Sequence, residues 1–257
     1  MSVSNSFQNM ARPSGMISRQ MSDAERLAIS TEELSLIADP AERAVQFPGL
    51  VLLDRIGNRP ITPAGNVAPT PAVVNNQPAV QGYEAASCLL APYQLASSYT
   101  IFAAFETGPV IGQNDAMACS LDQANANRQF FGVRLGDRLG IVHGAAYAIS
   151  TPEASILPST KYVVWGGFNA ENVPVNNAVT IELGINSPST LASGRSPTLH
   201  MGDTQTALFG GMSDRGSPHK GVLIGIAPRF LGGEANYLRR AAIMAWFAER
   251  IGIPLAA

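Results

Sequence analysis

Charged residues are scarce in this chain. Only 14% of its 257 residues are charged, against about 25% in an average soluble domain. Its 17 basic and 19 acidic residues give a net charge of −2 and form no basic run. A nucleic-acid partner is therefore not expected, because phosphate binding needs clustered lysine and arginine.

Cysteine is nearly absent as well. Cys88 and Cys119 both lie in apolar, strand-like surroundings. We expect two buried free thiols, and a single disulfide between them is the alternative. No Cys-x-x-Cys pair and no Cys/His spacing of the zinc-binding kind occurs.

Long apolar stretches are also missing. Nowhere do about 18 consecutive apolar residues occur, which is what a membrane-spanning helix needs. The first twenty residues lack the apolar segment of a secretory signal. We therefore expect no membrane span, and a soluble protein made in the cytoplasm.

Glycine and proline, by contrast, are plentiful, with 24 and 18 residues spread without a period. From residue 48 to 228, short apolar runs alternate with turn signals, and no helical stretch separates them. Residues 75–76 and 136–137 are predicted turns of two such strand pairs. This spacing predicts an all-β, antiparallel two-sheet sandwich of the jelly-roll kind rather than a βαβ fold.

One helix stands out at residues 234–250, closing a sandwich domain of residues 48–257. Glu234 lies in its first turn, where the helix dipole favours an acid, and Gly252 lies where a C′ glycine belongs. Four apolar residues share one face of this helix: Ile243, Trp246, Phe247 and Ile251. We expect that face to pack on the outside of the sandwich.

The first 47 residues have a different character, with a polar, serine-rich start. Ser-x-x-Glu capping patterns at positions 22 and 30 predict two short helices, at 23–29 and 31–38. Such helices are too small to form their own core. We interpret residues 1–47 as an arm that docks on the sandwich, on a sister subunit or on a larger assembly.

Three blocks give the chain its likeness to a known family. Residues 69–106 contain Gln77-Pro78-Ala79-Val80 followed by a Tyr-Thr strand, residues 161–186 form a strand pair ending at Asn186, and residues 209–254 end in a strand, loop and helix. The chain resembles the concanavalin A-like lectin/glucanase superfamily, including its laminin-G-like members. The resemblance covers residues 50–255 and implies the same sandwich fold.

The resemblance also suggests where ligands bind. Lectin-like sites pair an aromatic platform with Asn and Asp hydrogen bonds, and relatives often hold calcium in such loops. Trp165 could be that platform, with a core position as the alternative. The remaining candidates lie in predicted loops: Asn169, Asn172, Asp203, Asp214 and His219. Turn formation is the alternative for the Asn and Asp residues, and calcium, which needs six or more oxygens, stays an open cofactor.

Catalysis is not expected. The glucanase branch needs carboxylates of Glu-x-Asp-x-x-Glu form on one strand, but Glu106 and Glu182 each stand alone. We expect both to be solvated at a sheet edge. No Gly-x-Ser-x-Gly elbow accompanies the three histidines. A glycan hydrolase or esterase remains the minor alternative.

Family habits suggest a non-catalytic structural or adhesion component of a phage virion: a decoration, spike or fibre protein. Residues 1–47 would join it to other virion proteins or sister subunits in a homo-oligomer, and the sandwich would contact surface glycans. The alternative is a free carbohydrate-binding protein.

Overall fold

A computed structural model describes residues 22–25, 33–46, 50–84, 86–120, 129–143, 147–170, 181–195, 205–212 and 216–256. In chain order the strands are β1 (Leu36–Ala38), β2 (Ala44–Gln46), β3 (Leu50–Leu53), β4 (Pro60–Gly65), β5 (Thr70–Val74), β6 (Gln77–Gln81), β7 (Ser87–Ala91), β8 (Tyr99–Glu106), β9 (Asn114–Ser120), β10 (Gln129–Arg134), β11 (Arg138–His143), β12 (Tyr147–Ser150), β13 (Lys161–Phe168), β14 (Ile181–Ile185), β15 (Ala192–Gly194), β16 (Thr206–Gly211) and β17 (Lys220–Ala227). The helices are α1 (Pro40–Arg43) and α2 (Tyr237–Ile251), and a 3-10 turn at Glu234–Asn236 precedes α2.

The strands form two antiparallel sheets. The first sheet runs β15-β14-β13-β8-β17-β6-β5, and β1 also pairs with β17. The second sheet runs β12-β11-β10-β9-β16-β7-β4-β3-β2. The predicted all-β sandwich with a C-terminal helix is confirmed.

The main core lies between the two sheets. Strand β8 shows why, because its side chains alternate between two apolar environments. Tyr99, Ile101 and Phe105 point into the core between the sheets. Phe102 and Ala104 point the other way, into a second cluster under helix α2. Strand β8 is thus buried on both faces, which accounts for its nearly continuous apolar sequence.

Helix α2 covers the outer face of the first sheet. Its four predicted face residues are all fully buried: Ile243, Trp246, Phe247 and Ile251. The helix ends at Gly252, whose φ of 72° is left-handed, and the Gly252 N–H donates to the Ala248 carbonyl. Both the helix and its glycine stop are confirmed.

Part of the predicted arm is built into the sandwich. Residues 23–25 are helical, but Leu36–Ala38 pair with β17 in the first sheet and Ala44–Gln46 pair with β3. The helix predicted over 31–38 is therefore wrong at its end, because these apolar residues complete a sheet edge instead. Pro40 is the first residue of helix α1.

Several local predictions are confirmed. Asn75 and Asn76 both have positive φ, in the turn between β5 and β6, and Gly136 lies in the turn between β10 and β11. Cys88 and Cys119 are buried free thiols, and burial raises the pKa of Cys88 to about 12. Within the described ranges, no helix has the length and apolarity needed to cross a bilayer.

Candidate functional site

Trp165 lies in the core rather than at the surface. Its side chain is fully buried in the cluster under helix α2, and its indole N–H donates to the Ser187 carbonyl at 3.1 Å. The Arg240 guanidinium lies over the ring, 4.5 Å from its centroid. Trp165 therefore occupies a core position and not that of an exposed platform for a sugar.

The other predicted candidates do not form one site. Asn169 follows the last residue of β13, while His219 precedes β17. Strand pairing places them at opposite ends of the first sheet, because Glu106 at the end of β8 pairs with both Lys161 and Lys220. Eight residues of strand separate those ends by about 23 Å. Asn172, Asp203 and Asp214 lie outside the described residues.

A groove of about 600 Å³ opens at the His219 end of the sandwich. It lies where β6 and β8 end and β17 begins. Its polar lining comes from four separate parts of the chain: Gln81, Tyr83, Glu84, Glu106, Ser159 and Lys220. The Gly108-Pro109 segment and Pro218 form apolar parts of its wall.

Two glycines let the walls of the groove approach each other. A Cβ on Gly82 would collide with the Ser217 carbonyl, and one on Gly108 would lie 2.8 Å from the Pro218 carbonyl. The Ser217–Pro218 segment therefore passes between the end of β6 and the loop after β8. A side chain at either glycine would force these segments apart.

An ion pair lies in the groove. Lys220 Nζ is 2.9 Å from Glu106 Oε1, and the two side chains are 38% and 24% exposed. On the other side of β8, Lys161 of β13 is the cross-strand partner of Glu106. Cross-strand partners project from the same face of a sheet, so Glu106 stands between two lysines and remains open to solvent.

An aromatic ring stands beside these charges. Tyr83 is half-buried and lines the groove, and its hydroxyl lies 2.9 Å from Thr70 Oγ1. The Gln81 side-chain amide donates to the Pro218 carbonyl at 3.1 Å. The groove thus combines a partly exposed aromatic ring with carboxylate, ammonium and amide groups.

Two residues with strained backbone lie at or beside this groove. Eight non-glycine residues in the described part have positive φ, and four of them are asparagine, which tolerates it. The other four are Leu135, Ala154, Ser159 and Phe209. Ser159 lines the groove, and the Phe209 carbonyl lies 3.0 Å from a Cβ built on Gly82.

The remaining two strained residues belong to the loops at the same end. Leu135 N–H donates to the Gln113 carbonyl, and Ala154 N–H donates to Asp137. Strained backbone persists only where surrounding structure enforces it, and it is commonly found at functional sites. Its distribution here favours the groove end as the functional one.

His219 lies buried beneath the groove, 2% exposed. Its ring stacks on Phe105 with centroids 5.6 Å apart, and its Nε2 is 3.2 Å from Asp115 Oδ2. Burial lowers the pKa of His219 to about 3. Burial, with a smaller contribution from Glu84, raises the pKa of Asp115 to about 6, against a hydrogen bond from Gly112 that lowers it.

Two further predictions concern carboxylates and metals. Glu182 is 7% exposed rather than solvated, because its carboxylate accepts hydrogen bonds from the Gly233 N–H and the Thr190 hydroxyl. Glu106 is partly exposed, as expected, but it lies at the end of β8, a strand inside the sheet rather than at its edge, and pairs with Lys220. Among the residues whose positions are described, no three His, Cys, Asp or Glu side chains converge on a metal-sized site.

Sequence reasoning did not identify Tyr83, Glu106 and Lys220 as neighbours. Tyr83 carried a usable signal, since it follows the predicted strand of the Gln77–Val80 block and is an aromatic residue among polar ones. The pairing of Glu106 with Lys220 spans 114 positions and has no local signature.

No family model matches the sequence, and no curated protein matches it. Solved structures do share the fold. Trypanosoma rangeli sialidase in complex with sialic acid superposes with a TM-score of 0.54 at 13% identity, over 85% of this chain and 33% of that one. The binding domain of botulinum neurotoxin serotype C1 gives 0.52 at 11%, over 82% and 52%.

The binding domain of botulinum neurotoxin DC in complex with SialylT gives a TM-score of 0.52 at 10% identity, over 82% of this chain and 51% of that one. This chain therefore spans between a third and about half of the proteins that it resembles. At these identities the likeness concerns the fold alone, and it agrees with the predicted two-sheet antiparallel sandwich.

Proposed function

We propose that this chain is a non-catalytic glycan-binding sandwich and that the groove beside Tyr83 is its sugar site. The observation that carries the proposal is the half-buried Tyr83 ring beside the Glu106–Lys220 pair in one groove. Binding sites for small ligands combine apolar walls with a few convergent polar groups that fix orientation. A sugar offers C–H faces for the ring and hydroxyl groups for the carboxylate, ammonium and amide.

The similar structures support the choice of probes. Two of them are complexes, one with sialic acid and one with SialylT. Those ligands belong to those proteins, but a shared fold makes sialylated oligosaccharides reasonable probes here. Lys220 gives the groove the cation that an acidic sugar would need, while neutral sugars would use Glu106 and Gln81.

A glycan hydrolase is the second candidate. Glu84 and Glu106 both line the groove, and glycosidases act through a pair of carboxylates. Glu106 already forms an ion pair with Lys220, which favours the binding role. Release of reducing sugar would decide between the two candidates.

Attachment to a virion is a separate proposal, and it concerns the residues before Ser22. Ser22 donates to Glu249 at 2.6 Å, Arg55 Nη1 lies 2.8 Å from Glu25, and residues 36–46 contribute two strands. These residues already contact the body of this chain. We therefore assign the docking role of the arm to residues 1–21. Sedimentation of the chain lacking them tests this, because loss of the docking segment should abolish assembly.

The test of glycan binding uses the full chain on an array of neutral and sialylated oligosaccharides. We expect binding that falls at least about tenfold in Tyr83→Ala, because the ring would contact the sugar directly. Tyr237→Ala is the matched control, since Tyr237 is also half-buried but lies on helix α2. Equal binding by both variants, or no binding by the unmodified chain, would contradict the proposal.

A further inference from the structure

His219 connects the two walls of the groove. Its carbonyl accepts a hydrogen bond from the Gly82 N–H at 3.1 Å, on the β6 side. Its ring Nδ1 accepts one from the Gly108 N–H at 3.2 Å, on the β8 side. Both glycines line the groove, so one buried residue sets the spacing between the walls.

The second of these bonds requires one tautomer of the imidazole. A neutral histidine has one protonated and one unprotonated ring nitrogen. Because Nδ1 accepts the Gly108 N–H, the proton must be on Nε2. That nitrogen lies 3.2 Å from Asp115 Oδ2, although the two atoms do not form a regular hydrogen bond.

Asp115 favours this tautomer by its charge. A carboxylate next to Nε2 stabilises an N–H there and would repel a lone pair. Asp115 is itself held by the Gly112 N–H, which donates to Oδ2 at 2.7 Å. The same carboxylate oxygen therefore contacts the loop at residue 112 and, through His219, fixes the loop at residue 108.

The ring stays neutral over the ordinary pH range, because burial lowers the pKa of His219 to about 3. Phe105 packs against one face of the ring and keeps its plane in place. Nδ1 therefore remains an acceptor wherever the protein is folded near neutral pH.

We propose that His219 is a positioning residue that holds the Gly108-Pro109 wall of the groove, and that Asp115 sets the tautomer that makes this possible. This inference rests on the proposed sugar site, because it identifies His219 as the residue that determines the shape of that groove. It does not place His219 in contact with the sugar.

Two substitutions separate the contacts of the ring. In His219→Asn, the amide oxygen can take the place of Nδ1 and accept the Gly108 N–H. In His219→Gln, the longer side chain reaches the Nε2 position beside Asp115 but leaves no acceptor at Nδ1. The two variants lose the same ring and so control for each other.

Amide hydrogen exchange at Gly108 is the readout that needs no ligand. We expect exchange at least about tenfold faster in His219→Gln than in His219→Asn, since only the former leaves a buried donor unpaired. Binding on the oligosaccharide array should follow the same order. Equal exchange in the two variants would overturn the positioning role.

The unmodified chain supplies a measurement that does not depend on how well the variants fold. Ring ¹⁵N shifts of His219 should show an unprotonated Nδ1 and a protonated Nε2 from about pH 6 to pH 8. The reverse pattern would overturn the assignment. If the array shows no binding but exchange and shifts agree with expectation, the sugar site fails while the positioning role of His219 stands.

Discussion

The helix-covered face of the first sheet and its groove end both carry charged side chains, yet they pair them differently. Under helix α2, Arg240 is 1% exposed and donates to the carbonyls of Pro188, Leu231 and Gly233. At the groove, Glu106 and Lys220 form a pair that stays partly exposed.

The same contrast holds for a second buried cation. Arg250 Nη2 lies 2.5 Å from Asp39 Oδ1, with both side chains almost fully buried. Charges taken out of water in this way need partners within the protein. The helix face uses its charges to join distant segments, whereas the groove leaves donors and acceptors that a ligand can use.

Removal of residues 1–47 gives the largest expected effect. The truncation deletes β1 and β2 together with the fully buried Leu36 and Ile37, so we expect loss of the cooperative unfolding transition in urea. The control is the chain lacking residues 1–21, which keeps every described strand. A cooperative transition in both truncated chains would instead mean that the sandwich begins near residue 48, as the sequence suggested.

A smaller loss is expected from Asp39→Ala. It removes the carboxylate that pairs with Arg250 and Arg55 and that accepts the Ala41 N–H. Leaving a buried guanidinium without its partner should lower the free energy of unfolding by about 3–5 kcal/mol. Asp39→Asn keeps an acceptor for Ala41 and should cost less. Urea unfolding of the two variants measures this: equal losses would assign the whole effect to the lost charge, and a loss confined to Asp39→Ala would assign it to the Ala41 contact.

The pH dependence of Asp115 gives the smallest effect on stability. Burial raises its pKa from the ordinary 3.8 of an aspartate to about 6 in the folded chain, so the folded state binds the proton more tightly than the unfolded state. This group therefore lowers stability above about pH 6, and the loss is relieved as the pH falls toward 3.8.

Unfolding of the unmodified chain and of Asp115→Asn at two pH values checks this sign. Relative to the variant, the unmodified chain should gain about 2 kcal/mol of unfolding free energy between pH 7 and pH 4.5. A difference that stays constant with pH would show that Asp115 keeps an ordinary pKa. A buried carboxylate that lowers stability at neutral pH is what a positioning role for Asp115 leads one to expect.

Local sequence signals were sufficient for much of the fold. The stripe containing Trp246 and Phe247 and the stop at Gly252 define helix α2, because helix packing and capping depend on residues within a few positions. The turn at Asn75-Asn76 is set equally locally, since asparagine tolerates positive φ. These features needed no knowledge of the rest of the chain.

Long-range contacts account for what the sequence did not reveal. Leu36–Ala38 form a strand only because β17 offers them an edge, some 190 residues further along. Glu182 is buried because the Gly233 N–H reaches it. The sequence identified His219 as a candidate binding residue. Its structural role, however, depends on contacts with Gly108 and Asp115, each more than 100 residues away.

Amide shift perturbation with the oligosaccharide that binds most strongly on the array tests the central claim most directly. Perturbations should cluster at residues 81–84, 106–109 and 218–220, around the groove. Resonances of the helix-covered face, such as those of Trp165 and Arg240, should stay in place. Perturbations centred on Asn169, at the opposite end of the sandwich, would contradict the assignment of the sugar site to the groove.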